Sequence, residues 1–142
     1  MPDRADDEVV RSWTHVALPV SDLDTSIAFY EKWARLAVLE LVEEPGTRAA
    51  RLGDGTRPFV LVLIEGSPSP EHSLDGFGHL GIECESRADV DRLSAEAHAA
   101  GCLRHGPIDS GPPRGYWALL GDPDGHQLEL SHGQHNLGAP RR

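Results

Sequence analysis

The chain has 142 residues, and 13 basic against 23 acidic side chains give it a formal net charge of −10. That length fits one domain, or two small halves sharing a core. Such an acid excess, without clustered Lys and Arg, argues against a nucleic-acid partner and against docking on an anionic membrane surface.

The first eleven residues are polar and acidic, unlike a secretory leader, and no run reaches the roughly 20 apolar residues of a spanning helix. Cys84 and Cys102 are the two cysteines, without CxxC spacing. They read as reduced thiols of a cytoplasmic protein. Residues 13–20 alternate around Val16, Leu18 and Val20, which predicts a strand. Pro19 within it argues for an edge position. Ser21 with Asp24 three residues on predicts a helix start. Leu23, Ile27, Tyr30 and Ala34 then form one apolar stripe at helical spacing. Three strand-like runs follow, over 37–42, 48–52 and 58–64. Pro45-Gly46 and Gly53-Asp54-Gly55 punctuate them.

Residues 67–76, with Ser67-Pro68-Ser69-Pro70, read as a linker. The order then restarts. Residues 79–84 predict a strand. Ser86 and Asp89 repeat the helix start, and Val90, Leu93, Ala97 and Ala100 carry a helix to Gly101. A short strand over 103–105 follows. Strands over 115–120 and 126–131 form a hairpin around Asp122-Pro123-Asp124-Gly125. The sequence therefore divides into a leader (1–12), a β-α-β-β-β module (13–66), a linker (67–76), a second such module (77–132) and a polar tail (133–142). The two modules make one α+β domain over 13–132. Trp13 and Trp117 read as core, and Leu137 is placed to dock the tail.

One pair of residues recurs. His15 opens the first strand and Glu65 closes the last strand of the first module. Shifted by 64 residues they become His79 and Glu129. Two imidazoles and two carboxylates at equivalent strand positions suit one divalent ion of zinc, nickel, iron or manganese. A lone strand histidine is ordinarily structural; the pairing is what favours ligands. Glu129 lies between Leu128 and Leu130, so it points away from the leucines, to solvent or to a polar cleft.

The segments His15–Tyr30 (HVALPVSDLDTSIAFY), Gly78–Ile82 (GHLGI) and Asp122–Leu130 (DPDGHQLEL) resemble the vicinal oxygen chelate superfamily, also called the glyoxalase/bleomycin resistance/dioxygenase family. The resemblance implies two modules whose sheets curl into an open-barrel cleft. It implies one divalent metal per cleft, a small oxygen-bearing substrate, and a homodimer, in some members with the cleft built across two chains. His15, His79 and Glu129 match the ligand positions. At the fourth position Glu65 competes with Leu61 and Leu63. Without Glu65 the set is two His and one Glu, similar to the facial triad of non-haem iron oxygenases.

In glyoxalase I a ligand Glu doubles as the base, which gives Glu129 and Glu65 a catalytic role by resemblance. Some dioxygenases of the superfamily carry a Tyr near the place of Tyr116, where it assists with the substrate oxygen; the ordinary reading of Tyr116 is a core or rim aromatic. Pro19 stands where glyoxalase I commonly has a glutathione-gripping Arg, which implies a different small substrate. Ring cleavage lacks a well-matched second histidine upstream of His79; His72 is the one candidate. His126 alternates away from Glu129 and reads as no ligand, and His132 with His135 forms a weak tail pair. The competing reading is a metal-free, drug-sequestering protein of the bleomycin-resistance type. Retention of His15, His79 and Glu129 favours metal.

Overall fold

The structure is a computed structural model and describes residues 11–67 and 70–134. The leader up to Val10 and the tail from His135, with Leu137, lie outside the described residues. Two modules follow one another. The first is β1 (His15–Val20), α1 (Leu23–Ala34), β2 (Ala37–Glu44), β3 (Thr47–Gly53) and β4 (Val60–Glu65). After a 3-10 turn at Pro70–His72 the second is β5 (Leu80–Glu83), α2 (Arg87–Ala100), β6 (Leu103–Asp109), β7 (Tyr116–Gly121) and β8 (Gln127–His132). Each builds a four-stranded sheet, ordered β1-β4-β3-β2 and β5-β8-β7-β6. In each the first strand lies parallel to the last, and the other pairings are antiparallel. This is the α+β architecture the sequence predicts. The two sheets do not close into one barrel, consistent with an open cleft.

Both helices are capped by side chains. Ser86 accepts from the Asp89 amide at 3.1 Å, as the spacing predicts, and α2 ends at Gly101 with φ of +80°. On α1 the cap is Asp22 rather than Ser21. Asp22 Oδ1 accepts from the Thr25 amide at 3.1 Å, while the Ser21 amide donates to the Asp124 carboxylate. The buried face of α1 comprises Leu23, Ser26, Phe29, Tyr30, Trp33 and Ala34, with Ile27 only half-buried. The stripe is wider than predicted because α1 packs on its own sheet and also reaches the second module.

The seam between modules is polar and buried. Asp122 accepts from the Tyr30 hydroxyl at 2.7 Å and from the amides of Asp124 and His126. Burial and this carboxylate push the Tyr30 phenol far above its ordinary value. His126 is fully buried. Its Nδ1 accepts from the Leu74 amide, so Nε2 carries the proton and donates to the Pro19 carbonyl at 2.8 Å. Leu120, Leu128 and Leu130 complete the core beside Leu52 and Leu63.

Two expectations change. Trp13 is 86% exposed, not core, because it precedes β1, beyond the reach of either helix. The strand predicted over 103–105 runs on to Asp109. The chain absorbs Gly106 and Pro107 as a register shift between His105 and Ile108. Gly106 sits at φ of +93°, and a Cβ there would meet the Trp117 carbonyl oxygen at 2.8 Å. Among the described residues no helix is long and apolar enough to cross a membrane.

Candidate functional site

Strand register decides which of the four residues share a face. In the second module Leu80 pairs with Leu128 and Gly81 with Glu129. His79, one residue before the strand, therefore lies on the same face as Gly81 and Glu129. The side chains meet: His79 Nε2 is 3.7 Å from Glu129 Oε2. Gly81 makes this possible, since a Cβ there would stand 3.4 Å from Glu129 Oε2. The Glu129 side chain is 14% exposed and accepts no hydrogen bond from the described residues. A carboxylate so placed wants a cation or a donor.

The histidine is oriented for the role. His79 Nδ1 lies 2.9 Å from the Phe77 carbonyl oxygen. A carbonyl only accepts, so Nδ1 carries the proton and Nε2 presents its lone pair toward Glu129. Metal-binding histidines are commonly held by this kind of outer contact. His15 Nδ1 likewise has a neighbour, Thr14 Oγ1 at 2.9 Å, and its ring is exposed. The donor set of His79 and Glu129 thus fits a divalent ion, with a third ligand to come from elsewhere.

The first module does not repeat the geometry. His15 pairs with Val60, whereas Glu65 pairs with Val20 at the other end of the strands. The offset is five residues, about 16 Å along a strand. Five is odd, so Glu65 also points to the opposite face. There it accepts from the Leu23 amide at 2.8 Å and from Arg48 at 3.0 Å, capping the start of α1. Arg48 in turn reaches Asp24 and Glu43, and these carboxylates hold its guanidinium charge above the ordinary range. The face that carries His15 continues through Ala17, Val60 and Val62. Val62, rather than Glu65, Leu61 or Leu63, thus takes the place that Glu129 holds in the second module, two residues beyond the histidine's rung.

Tyr116 is likewise on the helix side. Its partner in β8 is His132, three residues from Glu129, and so on the other face. Its hydroxyl bonds Asp91 of α2, and the Arg87 guanidinium stacks 4.1 Å from its ring. Trp117 instead shares the face of Glu129, with its indole N–H donating to Ser110 at 2.9 Å. His132 Nδ1 sits 3.0 Å from the Cys84 carbonyl, and His72 and Arg114 are exposed. Within one chain, and among the described residues, no three His, Cys, Asp or Glu are grouped to hold a metal. Phe77 and Gly81 were missed from the sequence. A glycine two residues after the histidine, inside a strand, was the available signal for Gly81.

A groove of about 1340 Å³ opens between the modules. Val16, Trp33, Leu61, Ile82 and Leu128 line it, with His79 among them.

The model of the Glyoxalase/Bleomycin resistance protein/Dioxygenase superfamily matches residues 13–130. An uncharacterized protein of Pseudomonas aeruginosa is 37% identical over 123 residues, covering 85% of this chain and 88% of that one. A probable chloroplastic lactoylglutathione lyase of Arabidopsis thaliana is 30% identical over 126 residues, 84% of this chain. The chain spans only 35% of that protein's length. Among solved structures, a mutant of the fosfomycin resistance protein FosX from Listeria monocytogenes, complexed with Mn(II) and 1S,2S-dihydroxypropylphosphonic acid, superposes with a TM-score of 0.69 at 19% identity, covering 88% and 94% of the two chains. TnmS3, an antibiotic binding protein from a Streptomyces species, superposes at 0.65 with 23% identity, covering 87% and 97%. At these identities the two structures establish a shared fold.

Proposed function

The chain belongs to the Glyoxalase/Bleomycin resistance protein/Dioxygenase superfamily, and from that premise we propose that it is a metal-dependent enzyme acting on a small substrate with two neighbouring oxygens. The observation that carries the reading is the His79–Glu129 pair, 3.7 Å apart on one sheet face, with the imidazole held in the ligand tautomer by the Phe77 carbonyl. His15 is the third ligand. It lies on the open face of the other module, so a second copy of the chain supplies it, in a homodimer whose two clefts each join a first module to a second. Glu65 serves α1 and is no ligand, and Tyr116 takes no part.

Each residue then has a task. His79 and Glu129 would hold a divalent ion from one copy and His15 from the other. When bound, a divalent ion acts as a Lewis acid on the chelated oxygens and lowers the cost of an oxyanion. Glu129 accepts a proton from the carbon beside those oxygens. Its carboxylate is largely screened from water and accepts no hydrogen bond from the described residues, so its lone pairs are free for that proton. Gly81 keeps space at the carboxylate for this movement. The likeness to lactoylglutathione lyases, at 30% identity, supports lyase chemistry over ring cleavage. Manganese, nickel, zinc and iron all suit the donor set.

Elemental mass spectrometry of the purified full chain tests the reading. Wild type should hold about one divalent ion per chain, and His15→Ala and Glu129→Ala should each lose it. A refolded one-to-one mixture of the two variants should regain roughly a quarter of the wild-type metal, because half of randomly paired dimers carry one intact cleft of two. Full loss in the mixture would place all ligands in one chain. No metal in wild type after reconstitution with all four ions would instead favour an antibiotic-sequestering protein, the activity that the name of TnmS3 gives for that relative.

A further inference from the structure

Arg51 stands apart from the other arginines. Arg35, Arg48, Arg87, Arg92 and Arg104 all form ion pairs. Arg51 is half-buried in the middle of β3 and, among the described residues, makes no hydrogen bond, ion pair or ring contact. Arg11, Arg57 and Arg114 also form no ion pair among the described residues, but they are exposed and outside strands. A half-buried side chain holds its stem in place, and a guanidinium that no carboxylate claims, in a chain with ten excess acids, leaves its fork of N–H donors open to an anion.

Register fixes its surroundings. Arg51 pairs with Val62, and Val62 with Ala17, so all three share the face of His15. Ala49 and Gly53 alternate with Arg51 onto that face, which leaves the guanidinium as its fixed cation among small side chains. Opposite it in β2 is Glu40, set off by the bulge at Leu39, and no ion pair forms between them. Arg51 lies two strands across and two residues along from His15, about 12 Å between backbones by ordinary sheet spacings. An extended arginine spans half of that. The remaining gap suits a molecule of a few heavy atoms, with its chelating oxygens at His15 and a charged end at Arg51.

We infer that Arg51 grips the anionic end of the substrate, which makes the substrate class a small oxyanion whose carboxylate, phosphate or phosphonate pairs with the guanidinium. This placement rests on the metal-cleft reading, since His15 marks the cleft wall. Arginine offers two parallel N–H donors to either planar or tetrahedral oxyanions, so the geometry of the acid is left to the test. Glu40 tunes the grip by repelling the same anion.

Calorimetric titration of the full chain with inorganic phosphate and, separately, with acetate tests it, on metal-free and Mn(II)-loaded protein. Wild type should bind one of the probes. Arg51→Met should weaken that binding at least tenfold, Arg51→Lys by less, and Glu40→Gln should tighten it a few-fold. Arg57→Met, which removes the same charge from an exposed loop, should leave it unchanged. The tighter probe identifies a tetrahedral or a planar acid. Equal affinity in wild type and Arg51→Met overturns the inference, as does equal loss in Arg57→Met or no binding by wild type. If the Mn(II) content of Arg51→Met matches that of wild type while phosphate or acetate binding is lost, the two readings separate. If wild type holds no metal but Arg51 still governs anion binding, only the enzyme reading falls.

Discussion

The two modules share an element order and a spacing of fifty residues between His and Glu, yet they use the pair differently. In the second, the register sets Glu129 two residues beyond the rung of His79, on its face, and the side chains meet. In the first, the loops between strands place Glu65 five residues beyond the rung of His15, on the other face. The same residue type caps a helix in one half and meets a histidine in the other. Equal sequence separation does not preserve geometry when strand register is free to change. An even offset keeps two side chains together, and an odd one parts them.

Substitutions break or sharpen this contrast. The largest effect belongs to Glu129→Ala, which should weaken metal binding by more than the roughly 10–100-fold cost of losing an outer-shell partner. Glu65→Ala should leave metal content unchanged and lower stability by about 1–2 kcal/mol, since the Leu23 amide and Arg48 lose their acceptor. Metal loss in Glu65→Ala would dissolve the contrast. Next comes the seam that holds the modules in their present relation. Asp122→Ala strands the buried Tyr30 hydroxyl and two amides and should cost about 3 kcal/mol in chemical denaturation. A loss near zero would show that the modules lean on apolar contacts alone.

A smaller effect tests how tightly the second sheet meets its helix. Burial, with help from Asp89 and Glu83, pushes the Cys84 thiol up from 9 to about 11. Between those values the folded protein keeps a proton that the unfolded chain has lost. Stability should therefore fall as pH rises through that window, and Cys84→Ala should flatten the decline in alkaline melting curves. The smallest effect is that of Tyr116→Phe. Its hydroxyl meets exposed Asp91 on the helix side, so turnover should match wild type. A drop of tenfold or more in kcat would mean that Tyr116 faces the cleft.

Much of this was legible in the chain. Element order, the Ser86 and Gly101 caps and the DPDG turn all announce themselves through local chemistry. Apolar alternation also placed Glu129 away from its leucine neighbours. What remained hidden depends on register or on distant partners. Nothing near Glu65 reveals that Arg48 and the Leu23 amide will claim it. The odd separation of Tyr116 from its site face follows only once His132 is known to stand across from it. The strand predicted over 103–105 fell short of Asp109 because the bulge that carries it past Gly106-Pro107 is a property of two strands. Trp13 misled by composition, since a tryptophan is expected inside but here lies past the end of its strand.

The parallel pairing of β1 with β4, and of β5 with β8, bears on how the chain assembles. The opening strand of each half bonds only to the closing strand, so it has no ladder partner until its module is fully synthesised. Every intermediate length leaves a lone strand at the front, and a cut within β4 or β8 releases β1 or β5 as well. Each half is thus a loop fastened at its two ends. Closing a loop of that length costs entropy before any contact repays it, and the histidine at the start of each module takes its place only when the far end arrives.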